Sequence, residues 1–209
     1  MPKKLIIAVV AGLVLVAGIV VGVLFFLRRD SGPAFEDVQK DNFYYKEVNW
    51  AAKEGIVGGM YGDYFSPNEV CTRGQAMTFL WRALGSPEPS GGMLNPFPDV
   101  PADMYYHDAI LWAAERGITH GTDTGDFWPD GPITRAQAVV FLYRAVGSPD
   151  VDWDADLPFW DVTSSDYFEG AVRWAVTEKI TTGIADGVFL PHDPCTRAQM
   201  VTFLYRWFK

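Results

Sequence analysis

The stretch ITRAQAVVFLYRAVGSP, from Ile133 to Pro149, contains both a helix start and an anomaly. Thr134 followed by Gln137 makes a capping box, in which side chain and backbone satisfy one another at the N-terminus. Behind it, Ala138, Phe141, Leu142, Ala145 and Val146 form an i, i+3, i+4, i+7, i+8 apolar stripe, widened by Val139, Val140 and Tyr143. A helix apolar over so much of its surface must be buried on several sides. The anomaly is Arg135 at the first helical position, a cation at the end of the helix that carries partial positive charge. The arrangement recurs as CTRGQAMTFLWRALGSP (71–87) and CTRAQMVTFLYRWFK (195–209).

These copies belong to a longer repeat of 62 residues that needs no gap. It aligns Phe35, Phe97 and Phe159; Asp37, Asp99 and Asp161; Trp50, Trp112 and Trp174; Gly59, Gly121 and Gly183; Phe65, Phe127 and Phe189; and Thr72, Thr134 and Thr196 with the arginines that follow. Each unit opens on F-x-D-V and continues into a first helix, YYKEVNWAAKEG (44–55) or YYHDAILWAAERG (105–117). Gly55 and Gly117 suit the C-terminal cap of that helix, and Lys179 stands there in the third unit. A turn-rich loop of about 15 residues precedes the second helix. The units are expected at 35–87, 97–149 and 159–209. EPSGGMLNP (88–96) and DVDWDADLP (150–158) would link them. A unit this small buries too little to stand alone. The expectation is therefore an all-α fold, mainly helical with long loops. The three second helices would form a central bundle of pseudo-threefold character.

Ahead of the repeats, Leu5 to Leu27 is 23 residues without a charge, enough to span a bilayer. Bulky residues and Arg28–Arg29 stand where a signal peptidase would need small residues. Residues 1–29 are read as an uncleaved signal anchor with one transmembrane helix, the alternative being a removed signal peptide. Residues 30–34 form a short linker.

The chain carries 17 basic and 26 acidic residues, a net charge of -9. Lys3, Lys4, Arg28 and Arg29 flank the apolar run. Setting these four aside leaves a body of -13, a poor partner for nucleic acid or anionic lipid. Apolar residues make up 49% of the chain, which marks the bulk as globular. Cys71 and Cys195 share a repeat position with Ile133 and read as two buried free thiols, with a disulfide as the alternative. His107, His120 and His192 fall at three different repeat positions, which speaks against a shared metal or catalytic role. The acidic loop GTDTGDFWPDG (121–131) lacks the terminal Glu of a calcium loop and reads as turns. No G-x-S-x-G, P-loop or C-x-x-C motif is present. Three like units do not suggest a single active site, so no enzyme, catalytic residue, cofactor or metal is expected.

The residues FEDV, FPDV and FWDV, then VNWAAKEGIVGG, ILWAAERGITHG and VRWAVTEKITTG, then FSP, FWP and FLP, then TRGQ, TRAQ and TRAQ, resemble the S-layer homology (SLH) family, over 35–208. The family's Glu at the end of T-R-A-E is Gln in all three units, and Gly74 replaces its Ala. The resemblance implies three repeats with grooves between them. It also implies non-covalent binding to secondary cell wall polymer, often pyruvylated, on a Gram-positive-type surface. On that reading Arg73, Arg135 and Arg197, with exposed N–H groups at the helix starts, would clamp an acidic group of the polymer. Gly59, Gly121 and Gly183 would admit the sugar closely beside Thr72, Thr134 and Thr196. Nearby aromatics could stack on sugar faces. The competing readings are arginines paired with acidic neighbours, and glycines required by turns alone. Trp50, Trp112 and Trp174 are expected in the core, and Asp37, Asp99 and Asp161 as loop-to-helix anchors.

With an anchor and three repeats assigned, the remaining residues leave no room for a cargo domain. A tether between membrane, through residues 5–27, and an anionic wall polysaccharide is therefore expected. A module binding a protein partner at the cell surface is the alternative. Removing the arginines is expected to abolish binding without unfolding the chain.

Overall fold

A computed structural model describes residues 34–92 and 94–209. The proposed anchor at residues 5–27 lies outside them. Among the described residues no helix is long and apolar enough to cross a membrane.

Among the described residues six helices alternate in length: α1 (Tyr45–Lys53), α2 (Arg73–Ala83), α3 (His107–Glu115), α4 (Arg135–Ala145), α5 (Glu169–Thr177) and α6 (Arg197–Phe208). The only β-type pairing among the described residues is in isolated bridges, so the fold is all-α. The first helices start later and stop sooner than the sequence pattern suggests. Tyr44, Tyr106 and Phe168 act as N-caps without a side-chain hydrogen bond. The second helices begin as expected. Thr72, Thr134 and Thr196 each accept from the backbone N–H three residues on, and each Gln closes the capping box. The stripe runs past the helix end: α4 stops at Ala145, and Val146 is its C-cap.

The three first helices end in a left-handed residue. Gly55 (φ +71°) and Gly117 (φ +66°) adopt it freely, whereas Lys179 holds φ +59° at the same position. A side chain in that region costs free energy that glycine avoids. Lys179→Gly is accordingly expected to raise stability by about 0.5–1 kcal/mol, because the relief exceeds the added entropy of the unfolded chain. Urea denaturation should show the higher midpoint. A lower midpoint would mean that the lysine side chain makes a compensating contact.

The long helices α2, α4 and α6 pack against one another. Each short helix packs on the long helix of the preceding unit: α3 on α2, α5 on α4, and α1 on α6. The last contact closes the ring, so no unit owns its core. The ring has a backbone seam. Cys71 N–H donates to the Cys195 carbonyl (2.9 Å), Cys195 to Ile133 (2.8 Å) and Ile133 to Cys71 (3.0 Å). All three residues are fully buried. The residue before each N-cap is thus the central link of the assembly rather than only a staple on its own helix. Both cysteines are free thiols, so the disulfide alternative does not hold. Burial pushes the Cys195 thiol up to about 12, against the lowering effect of nearby Arg135. The Cys71 thiol is raised for the same reason.

The tryptophans sit as core residues. Trp112 and Trp174 are buried, and half-buried Trp50 packs against Tyr205 and Phe208. The aspartates anchor a loop to a loop rather than a loop to a helix. Asp37 accepts from Phe65 and Ser66, Asp99 from Phe127 and Trp128, and Asp161 from Phe189 and Leu190. In each F-x-P the middle residue, Ser66, Trp128 or Leu190, has φ between +56° and +60°. The carboxylate below holds a backbone conformation that these side chains disfavour.

Candidate functional site

The arginines that open the long helices are nearly inaccessible: Arg73, Arg135 and Arg197 are 4%, 3% and 2% exposed. Each reaches into the next unit. Arg73 Nε donates to the Phe127 carbonyl (2.8 Å), Arg135 Nε to Phe189 (2.8 Å) and Arg197 Nε to Phe65 (2.9 Å). Each guanidinium lies over two phenylalanine rings. For Arg135 these are Phe189 at 4.8 Å and Phe203 at 5.5 Å. Arg73 meets Phe127 and Phe141, and Arg197 meets Phe65 and Phe79, in the same way.

The helix starts are not open. The Arg73 and Gly74 amides donate to the carbonyls of Gly131 and Pro129. Arg135 and Ala136 donate to Asp193 and Pro191, and Arg197 and Ala198 to Glu69 and Pro67. The expectation of exposed N–H groups at the helix start is therefore corrected. The F-x-P loop of the neighbouring unit already supplies acceptors, which offsets the orphan donors of the first turn. The same closeness accounts for Gly74: a Cβ there would come 2.9 Å from Tyr106 Cδ1 and 3.1 Å from the Pro129 carbonyl.

Among the described residues none of the three arginines has a carboxylate within ion-pair distance. Pairing with acidic neighbours is thus not how they are held. Burial lowers the pKa of all three, yet a guanidinium keeps its charge at any physiological pH. The result is three buried cations held by carbonyls and aromatic faces, an arrangement that leaves positive charge uncompensated.

The repeated glycines face their own loops. A Cβ on Gly121 would meet the Asp126 carbonyl and Phe97 Cε1, both at 2.6 Å. Gly183 is set likewise against Phe159, at φ +83°, and Gly59 against the carbonyl of Gly62. Turn closure therefore accounts for them, against loop carbonyls in all three units and over the first Phe of the unit at Gly121 and Gly183. The threonines are occupied as caps.

Two features escaped the sequence reading. Arg82, Arg144 and Arg206 also lie 62 residues apart. They donate Nη1 to the carbonyls of Ile56, Ile118 and Ile180, tying each long helix to the loop of its own unit. Their spacing was visible in the sequence, but an arginine late in a helix reads as an ordinary dipole partner. Phe43, Tyr105 and Tyr167 form an exposed aromatic series, each edge-on to the ring that follows it. No group of three or more His, Cys, Asp or Glu is gathered as a metal site among the described residues.

A family model described as the S-layer homology domain matches three segments, residues 34–77, 96–139 and 158–201. The chain is similar to a "Cell surface protein" of Thermoanaerobacter kivui, 32% identical over 122 residues, covering 57% of this chain and 16% of that protein. It is similar to the "Surface-layer 125 kDa protein" of Lysinibacillus sphaericus, 31% identical over 182 residues, covering 84% of this chain and 15% of that protein. It is also similar to the "S-layer protein sap" of Bacillus anthracis, 35% identical over 115 residues, covering 54% of this chain and 14% of that protein. The chain spans under a fifth of the length of each of these relatives.

Proposed function

The chain belongs to the S-layer homology family, and from that premise we propose that it attaches non-covalently to a secondary cell wall polymer on a Gram-positive-type envelope. The relatives are named as surface and S-layer proteins, in keeping with a non-catalytic binding module. The observation that carries the finer reading is the set of three buried guanidinium groups that have no carboxylate counter-ion among the described residues. An acidic group on the polymer, such as a pyruvyl carboxylate, would supply the missing charge at the groove between two units. Arg73, Arg135 and Arg197 are the proposed ligand contacts, with Gly59, Gly121, Gly183 and the capping threonines forming the adjoining wall. With residues 5–27 in the membrane, the domain would tether membrane to wall.

A second reading rests on a different observation. The Nε–carbonyl bonds make each arginine a strut between units, so the arginines would be structural and the surface would serve a protein partner. The two separate in a sedimentation assay. The full chain, solubilised in detergent, is expected to pellet with purified cell walls and to lose most of that binding when the wall polymer is extracted. Pelleting that ignores extraction, or none at all, would favour a protein partner. Because the arginines are struts, the variant to run beside it is Arg135→Lys, which keeps the charge, rather than the alanine triple.

A further inference from the structure

Trp160 is the most exposed tryptophan among the described residues, at 75%. Glu36 and Pro98 stand at the same repeat position in the other units, so the fold does not require an aromatic ring there. The ring is nevertheless held in place. Trp160 N–H donates to the Gly187 carbonyl (3.0 Å). Gly187, at φ +72°, leaves room for the ring: a Cβ there would come 3.1 Å from Trp160 Cδ1. The turn beneath is tight, with Ile184 N–H on the Val188 carbonyl (2.9 Å) and Val188 N–H on the Ala185 carbonyl (3.0 Å). An exposed ring fixed in this way loses little further entropy when a partner covers it.

The turn adds apolar surface of its own. Ile184 is 46% exposed, Ala185 is exposed and Val188 is half-buried. With Trp160 they make an apolar patch that belongs to the third unit. The second unit carries Pro98, Thr122, Asp123 and Asp126 at these positions, and the first carries Glu36, Met60, Tyr61 and Tyr64. None of the four patch residues lines the cleft between α4 and α5. The chain around the patch is acidic. Residues 146–172 hold seven Asp or Glu and no Lys or Arg. Residues 180–196 hold Asp186 and Asp193 and again no Lys or Arg.

We infer that the Trp160 patch docks a short protein segment in which an apolar anchor stands between basic residues. Charge selects this occupant. A second copy of the chain would bring the same acidic surroundings to the contact and be repelled. Lysines or arginines beside an apolar anchor meet the carboxylates while the anchor covers the indole. Size points the same way. The four side chains offer about 300–400 Å², roughly half of the ~800 Å² per partner of a standard interface, which suits a linear segment rather than a folded domain. A tryptophan at the centre is the residue type on which such contacts concentrate their free energy. The inference stands apart from the wall-polymer reading, since it uses none of the arginines, glycines or threonines assigned there.

The test uses the full chain, ¹⁵N-labelled at tryptophan, in phosphatidylcholine nanodiscs. The probe is the end-blocked hexapeptide Lys-Lys-Leu-Phe-Lys-Lys. The Trp160 indole N–H resonance, identified by its loss in Trp160→Ser, is expected to shift saturably. Trp160→Ser should lose about tenfold in affinity by calorimetry, Trp160→Tyr should keep most of it, and Tyr61→Ser in the first unit should bind as the wild type does. Because Glu and Pro are accommodated at the same position elsewhere, Trp160→Ser should also keep its Tm. Lys-Lys-Ser-Ser-Lys-Lys, which has the charge without the anchor, and Glu-Glu-Leu-Phe-Glu-Glu, which has the anchor with the wrong charge, should leave the resonance unmoved. Equal shifts with either control peptide, or undiminished binding by Trp160→Ser, overturn the site. So does a Trp160 resonance that moves with an N-acetylglucosamine tetrasaccharide and not with the peptide. Wall sedimentation keeps the two proposals apart. Trp160→Ser should pellet with walls as the wild type does, and a loss of pelleting would make Trp160 a polymer contact and sink the docking site. Peptide binding by a chain that does not pellet would sink wall attachment and leave the docking site standing.

Discussion

Arg135→Ala is expected to lower the stability of the repeat domain by roughly 2–4 kcal/mol. Three effects set that figure. The Phe189 carbonyl, in a fully buried residue, loses its side-chain donor, and an unsatisfied buried acceptor costs about 1–3 kcal/mol. The guanidinium contacts with Phe189 and Phe203 disappear, worth about 1–2 kcal/mol when desolvated. Against these, removing a buried cation recovers part of its desolvation penalty, which keeps the loss below the sum for a bond, two ring contacts and a cavity. In a domain of this size the change corresponds to a fall in Tm of roughly 5–15 °C, measurable by calorimetry. The result also separates the two roles of the arginine. Unchanged Tm with lost wall binding would make it a ligand group and not a strut. A large fall in Tm would show why loss of binding in an alanine variant says little about ligand contact.

Asp161→Ala should be at least as damaging, with a loss of roughly 3–4 kcal/mol. Its carboxylate accepts from Phe189 N–H (2.9 Å) and Leu190 N–H (2.7 Å), and hydrogen bonds to a charged group are worth about 1.5–3 kcal/mol each. It also stabilises Leu190 at φ +56°, a conformation that costs about 1–3 kcal/mol for such a residue. Asp161→Asn keeps one acceptor oxygen and is expected to retain about half of the effect. The two sites are coupled, because Asp161 holds the N–H of Phe189 while Arg135 holds its carbonyl. The double variant should therefore lose less than the sum of the single losses. Chemical denaturation of the four proteins closes the cycle. Strict additivity would show that the loop keeps its shape when either anchor is removed.

Much of this molecule was legible in the residues. The capping boxes at Thr72, Thr134 and Thr196 span three positions, and the left-handed caps at Gly55 and Gly117 depend on one φ angle. The burial of α4 follows from its stripe. All these signals are local, and the 62-residue period repeats them three times, so the helices and their number could be read directly. The family resemblance covered the same stretch. The sequence also raised the right question about Arg73, Arg135 and Arg197, because a cation at a helix N-terminus needs a reason.

The tertiary structure decided where those arginines go. Their acceptors are backbone carbonyls 54 residues away for Arg73 and Arg135, and 132 away for Arg197. A carbonyl belongs to every residue and leaves no mark in a sequence. For the same reason the Cys71–Ile133–Cys195 seam and the packing of each short helix on the preceding unit were hidden. Local hydrogen bonding and apolar spacing therefore determined the elements, while the closure of the ring determined which polar groups face each other across it.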